Sequence, residues 1–227
     1  MKVDELTGRA RSHVIELDQG GCVLHREAVQ PYLDLRNAAR AEGYDLVAVS
    51  SFRDFDRQKS IWNGKYRGER PVLDRQGRAL DITNWPVADR IEAILCWSAM
   101  PGASRHHWGS DIDVIDRAAL AADAVVELVP EAYRDNGPHA RLHTWLSENM
   151  ARFGFFRPYV TERAGVSPEP WHLSYAPVSM LALQALTPSV LCDAWRAADI
   201  DGVEWLIANV DSLHSRYVDD IDAPDLR

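Results

Sequence analysis

Two separated segments of this chain are rich in metal-ligating side chains, and whatever the chain folds into must bring them together. The first runs Ser104-Arg105-His106-His107-Trp108-Gly109-Ser110-Asp111-Ile112-Asp113, and the second is Glu169-Pro170-Trp171-His172. His106, Asp113 and His172 offer ligand types that suit Zn²⁺, and Glu169 lies near enough in sequence to act as a base beside the metal. Ligand atoms of one Zn²⁺ each sit about 2 Å from it. The span from His106 to Asp113 would cover about 23 Å in a strand or about 10 Å along a helix, so the chain has to bend between them. Gly109 stands where such a bend needs conformational freedom. Beyond it, Ser110 to Ile115 alternates polar with apolar residues and then turns fully apolar, the pattern of a strand entering a core. Period two puts Asp111 and Asp113 on one face, and on this ground either carboxylate could reach the metal.

The second segment is shaped by Pro170, which biases Glu169 away from helical dihedrals. In a regular strand Glu169 and His172 point to opposite faces, so for both to face one metal the backbone must turn or bulge.

Ser104-x-His106-x-x-Gly109-x-x-x-Asp113 followed by Glu169-Pro170-Trp171-His172 resembles the signature of the VanY-type D-alanyl-D-alanine carboxypeptidases, zinc peptidases of family M15. The likeness covers roughly residues 45 to 177. It takes in Ser50-Ser51-Phe52-Arg53-Asp54 with Gln58 five positions after the Arg, and Trp145-Leu146 leading to Phe153-Gly154-Phe155. The resemblance implies His106, Asp113 and His172 as ligands of one Zn²⁺ per chain and Glu169 as the catalytic base. It implies Arg53 for the oxyanion or the substrate carboxylate, with Gln58 and Ser104 as polar contacts to the substrate; Trp171 and Trp108 flank the proposed ligands and read as packing residues or substrate walls, with Trp171 taken as a substrate contact. It also implies an α+β fold, a central mostly antiparallel sheet flanked by helices with the zinc site on the sheet, as in hedgehog and D,D-peptidase domains. The expected activity is hydrolysis of the terminal peptide bond of peptidoglycan stem peptides. The alternatives are an L,D-carboxypeptidase or a peptidoglycan endopeptidase on the same site, or a non-catalytic zinc-containing wall-binding module. One departure stands out: the family usually has Ala two residues before the Asp ligand, and here that residue is Asp111. An extra carboxylate there can orient a ligand, contact a cationic substrate group, or change which Asp binds the metal.

The other histidines, His13, His25, His139, His143 and His214, read as surface or core residues, and His107 as a residue that lines the cleft or supports Trp108. Cys22, Cys96 and Cys192 are scattered and unpaired in sequence, which suits buried free thiols. With 227 residues, 46% of them hydrophobic, the chain can bury a full core. A net charge of −9 argues against a nucleic-acid or anionic-membrane surface. The first thirty residues show no secretory apolar stretch and no membrane span is visible, so the expectation is action in the cytoplasm or export by an unrecognised route.

Residues 26–42 predict a helix closed by Gly43, and Leu46 to Val49 a short buried strand that delivers Arg53. Asp54 caps a second helix to about Lys65. Residues 62–86 lose periodicity and predict a long loop, either a wall over the cleft or a surface insertion with its own hairpin. Further helices are expected from Pro86 to Met100 and over 138–152, with a strand near Phe155-Phe156. Thr187-Pro188 predicts a helix start, and Asp201 with Glu204 a capping box ahead of the stripe Val203, Leu206, Ile207, Val210. The chain is expected to form one zinc peptidase domain, 1–227, with a catalytic core over about 26–177 and a helical extension over about 178–227 that packs on it or offers its stripe to a partner subunit.

Overall fold

The computed structural model describes residues 1–17, 21–196 and 198–224. A short helix α1 (Val3–Leu6) precedes a hairpin of β1 (Val14–Glu16) and β2 (Val23–His25). The long helix α2 (Arg26–Ala41) follows, its first turn capped by the ring of His25, which accepts from the Glu27 amide. Next come β3 (Leu46–Ser50) and α3 (Phe55–Tyr66), the latter capped by Asp54 through the Arg57 amide at 2.7 Å. Then follow the hairpin β4 (Val72–Leu73) and β5 (Ala79–Leu80), and α4 (Val87–Leu95). The second half holds β6 (Asp111–Asp116), α5 (Ala140–Asn149), β7 (Phe155–Phe156), β8 (His172–Tyr175) and α6 (Ala176–Ala185). It ends in α7 (Pro188–Arg196), α8 (Val203–Ala208) and α9 (Val210–His214).

The central sheet has the order β3-β6-β8-β7 and is antiparallel throughout. Every residue of β6 is buried, as a central strand covered on both faces requires. One apolar core packs Leu24, Leu35 and Leu146 against Leu46, Ile112, Val114 and Leu173 of the sheet. A second gathers Trp62, Ile91, Ile94, Trp108, Leu191, Trp195 and Leu206 from the helices. The fold is thus the α+β arrangement expected.

Several elements differ from the sequence reading. The helix expected to reach Met100 ends at Leu95 and passes into a turn in which the Trp97 and Ser98 amides both donate to the Ile94 carbonyl. The Trp97 indole N–H instead reaches back to the Asp74 carbonyl at 2.9 Å. Residues 62–66 continue α3, and the rest of the expected loop contains the β4–β5 hairpin. That hairpin is tied down by Arg75, which pairs with Glu162 at 3.0 Å and donates to the Gly165 carbonyl. No capping box forms at Asp201, because its carboxylate pairs with Arg67 at 2.7 Å and Gly202, with φ +76°, caps α8. The C-terminal part holds more helix than the expected pair, and Leu206 with its stripe packs into the second core. Of the three free cysteines only Cys22 is buried; Cys96 and Cys192 are half-buried.

Candidate metal centre

The bend required between His106 and Asp113 is a short 3₁₀ turn, Arg105–Trp108, ended by Gly109 at φ +66°. A Cβ at Gly109 would lie 2.6 Å from the His25 backbone nitrogen, so the position admits no side chain. The Gly109 carbonyl accepts from that same nitrogen at 2.8 Å, which pins the turn to the β1–β2 hairpin. The chain then enters β6, where Asp113 lies opposite both Ser50 of β3 and His172 of β8. The turn expected before His172 is present: its amide donates to the Glu169 carbonyl at 3.1 Å, and the Arg157 guanidinium holds the Pro170 carbonyl at 3.0 Å.

His106 Nε2 lies 3.3 Å from Asp113 Oδ2, and His172 Nδ1 lies 3.3 Å from Asp113 Oδ1. Candidate ligand atoms of the three residues all fall within 4.8 Å of one another, and all three residues are buried. Donors placed about 2.0 Å from a tetrahedral Zn²⁺ are about 3.3 Å apart, so the spacing fits that ion. The Glu169 carboxylate is 3.1 Å from the same His172 Nδ1. Asp113 Oδ1 is buried without a hydrogen-bond donor, as an oxygen held ready for a cation would be.

Asp111 resolves differently from Asp113. Its Oδ1 receives His172 Nε2 at 3.0 Å, from the side of the ring away from Asp113, while its backbone carbonyl lies 3.2 Å from His106 Nδ1. One residue therefore addresses the outer nitrogen of both imidazoles and leaves the two inner nitrogens facing Asp113. The Asp111 carboxylate is fully buried and paired with Arg105 Nε at 2.7 Å, and it accepts from Ser110 Oγ at 2.6 Å. Arg105 Nη2 donates in turn to Ser174 Oγ, which donates to Ser179. Burial opposes ionisation of Asp111, but the Arg105 charge and the His172 hydrogen bond outweigh it and hold the carboxyl well below the usual range. At Asp113 burial is likewise overcome, chiefly by His106, and its pKa is also lowered. Burial works against charge on His172, yet the Asp111 carboxylate, which accepts from its Nε2, and the neighbouring Asp113 and Glu169 carboxylates raise its pKa well above the ordinary value. That concentration of negative charge is what a dication would neutralise.

Arg53 follows the end of β3, and its amide donates to the His106 carbonyl at 3.1 Å. Its guanidinium donates to Gln58 Oε1 at 2.9 Å and Ser50 Oγ at 3.1 Å. Burial lowers its pKa, and the Asp113 and Glu169 carboxylates counteract that. Gln58 spends the other end of its amide on the Ala99 carbonyl at 2.7 Å, so it braces Arg53 rather than lining the cleft. Ser104 and Trp171 do line it, with Trp171 stacked on Trp97 at 5.9 Å between centroids. The Trp108 ring is wholly buried and its N–H bonds the Leu6 carbonyl, a packing role. His107 is also buried away from the cleft: Gly102 N–H donates to its Nε2, and its Nδ1 lies 2.6 Å from the Arg53 carbonyl. Burial pushes its pKa down to about 3, so the ring is neutral. The remaining histidines stay outside the site; His13, for example, bonds the His107 carbonyl at 2.9 Å.

The sequence reading missed Arg105, Lys65 and Tyr159 as residues of this region. Tyr159 stands edge-on to His172 at 5.3 Å, and nothing in its local pattern marks it. Together these residues surround a cleft of about 330 Å³.

A buried His-Asp-His cluster with a carboxylate beside it and an arginine across an open cleft, built on the end of an antiparallel sheet, defines a metallohydrolase. The sequence profile of the VanY D-alanyl-D-alanine carboxypeptidases matches residues 21–178. The chain belongs to that family and is a zinc metallopeptidase. It is 36% identical over 118 residues to an uncharacterised protein of Haemophilus influenzae, covering 51% of this chain and 90% of that one. It is 34% identical over 151 residues to a D-alanyl-D-alanine carboxypeptidase of Enterococcus faecalis, covering 65% of this chain but only 46% of that protein. Its fold is similar to that of the vancomycin-resistance D,D-pentapeptidase VanY solved with Zn(II), with TM-score 0.51 and 25% identity over 78% of this chain and 88% of that one. Among the described residues, no single helix is long and apolar enough to cross a membrane.

Proposed function

We propose that this chain is a D,D-carboxypeptidase that removes the terminal D-Ala from peptidoglycan stem peptides ending in D-Ala-D-Ala. His106, Asp113 and His172 would hold the zinc, and the observation that carries the reading is Glu169, whose carboxylate lies 3.1 Å from His172 Nδ1 at the edge of that cluster. A purely structural zinc has no use for such a base. The E. faecalis relative and the Zn(II)-containing VanY structure, both named for D-alanyl or D,D activity, support the substrate class.

Bound Zn²⁺ supplies Lewis acidity, polarising the scissile carbonyl and bringing the pKa of water toward neutrality. Glu169 takes the proton from the attacking water and hands it to the leaving amine nitrogen as the C–N bond breaks. Arg53, fixed by Gln58 and Ser50, presents its guanidinium to the oxygen on which negative charge develops. Asp111 and the Asp111 carbonyl fix the two imidazole rings, so the site is organised before substrate arrives. Ser104 and Trp171 form part of the surface along which the peptide lies.

The test is release of the terminal residue from stem pentapeptide and tetrapeptide by the zinc-loaded protein. D-Ala from the pentapeptide alone is the expected result. Release from the tetrapeptide would make the chain an L,D-carboxypeptidase, and internal cleavage of cross-linked peptides without terminal release would make it an endopeptidase.

A further inference from the structure

Besides Arg53 and the Asp111-paired Arg105, the cleft holds a cation that neither the metal motifs nor the mechanism above employs. Lys65 lies on α3 two helical turns after Gln58, which brings it to the same face of the helix as that residue. Its ammonium lines the cleft together with Arg53, Ser98 and Glu169. The hydrogen bond it makes is to a neutral hydroxyl, Ser98 Oγ at 2.7 Å. Among the described residues, no carboxylate oxygen lies within 4.0 Å of it, the limit that defines an ion pair. Burial pushes its pKa down, and Glu169 is the foremost of the charges that oppose this.

A half-buried ammonium with a hydroxyl for its partner is poorly compensated, and an incoming anion would complete its shell. Arg53 cannot serve every anionic group of a peptide at once. Its two terminal nitrogens are already directed by Gln58 and Ser50 at the edge of the metal cluster. Lys65 approaches the cleft from further along α3 and has the one hydroxyl beside it.

We propose that Lys65, with Ser98, is the subsite for the α-carboxylate of the substrate's C-terminal residue, leaving Arg53 for the carbonyl oxygen of the scissile bond. The inference rests on the carboxypeptidase reading and deepens it, because an enzyme that cuts inside a peptide has no terminal carboxylate to recognise. It makes Lys65 the residue that restricts the site to free C-terminal ends.

The experiment is calorimetric titration of the zinc-loaded Glu169→Ala protein, which cannot turn substrate over, with stem pentapeptide as the free acid and as its C-terminal amide. The acid should bind about 10- to 100-fold more tightly than the amide, as expected for one charge-assisted contact. Adding Lys65→Met should bring the acid down to the affinity of the amide and leave the amide unmoved, whereas Lys65→Arg should retain most of the preference. Equal binding of acid and amide to the Lys65-containing protein, or an acid preference that survives Lys65→Met, would overturn the assignment of the subsite while leaving the stem-peptide reading in place. Failure of both peptides to bind would overturn the stem-peptide reading and this subsite with it.

Discussion

Asp111 sits where its family usually has Ala, and it makes the metal centre of this chain depend on a buried ion pair. Its carboxylate holds His172 Nε2 and is itself held by Arg105. Replacing Asp111 with Ala should weaken zinc binding by about 10- to 100-fold, measured by chelator competition. The same change strands a buried guanidinium and should lower the unfolding free energy by about 3–5 kcal/mol. Adding Arg105→Met to Asp111→Ala should recover much of that stability in denaturant titrations without recovering zinc affinity; if affinity returned as well, Asp111 would be a packing residue rather than a ligand orienter. His107 gives a pH signature. Its folded pKa is depressed to about 3, so between the unfolded value near 6.5 and that point the unfolded chain takes up a proton that the folded chain refuses. Stability should therefore fall as pH drops, and His107 should contribute about 2 kcal/mol of the loss between pH 7 and pH 5. Denaturant unfolding at the two pH values should show a shallower loss in His107→Gln, and an unchanged slope would contradict the buried neutral ring. The two segments that meet at the cluster were legible because short motifs carry them. The choice between Asp111 and Asp113 was not, because period two puts both on one face and only the pairing of β6 with β8 tells which side of His172 each one meets.

At the scale of elements, the active cleft depends on how sharply the chain turns around Gly109. A side chain there would combine a left-handed backbone with a Cβ 2.6 Å from the His25 nitrogen. Gly109→Ala should cost at least about 1–3 kcal/mol in unfolding free energy from backbone strain alone. Because the turn carries His106, zinc occupancy should drop with it, and full occupancy at wild-type stability would show that the turn tolerates a side chain. Caps were readable in sequence where one side chain decides them: Asp54 before α3 and Thr187 before α7 both stand where expected. They were misread where a tertiary partner competes, as at Asp201, which spends its carboxylate on Arg67 instead of capping α8. The segment 62–86 gave no period because its strands are two residues long, too short for alternation to register. What ties it down is Arg75 reaching the 162–165 loop, a contact between residues far apart in sequence.

Across the whole molecule, two tryptophans stitch the C-terminal helices to the region that carries the site. Trp62 of α3 donates to the Asp201 carbonyl at 3.0 Å, and Trp195 of α7 donates to the Pro101 carbonyl at 2.7 Å just ahead of the metal turn. Both rings are fully buried in the core shared by α4 and α7. We propose that the chain is one cooperative domain on this basis: calorimetry of the zinc-loaded protein should show a single unfolding transition, and Trp195→Ala should lower its midpoint without splitting it. Two separable transitions would make the C-terminal helices an independent unit. The charge balance has a whole-molecule consequence too. At a net −9 the chain repels anions in general, so recognition of a peptide carboxylate falls to the local cations and the zinc. All of this meets at the proposed division of labour in the cleft, three residues for the metal and Glu169 for the proton. The most direct test is to measure zinc content and D-Ala release side by side for the wild-type protein and Glu169→Ala. One zinc per chain in both, with release confined to the wild type, is the predicted result; release by the variant at the wild-type rate, or loss of its zinc, would contradict the account.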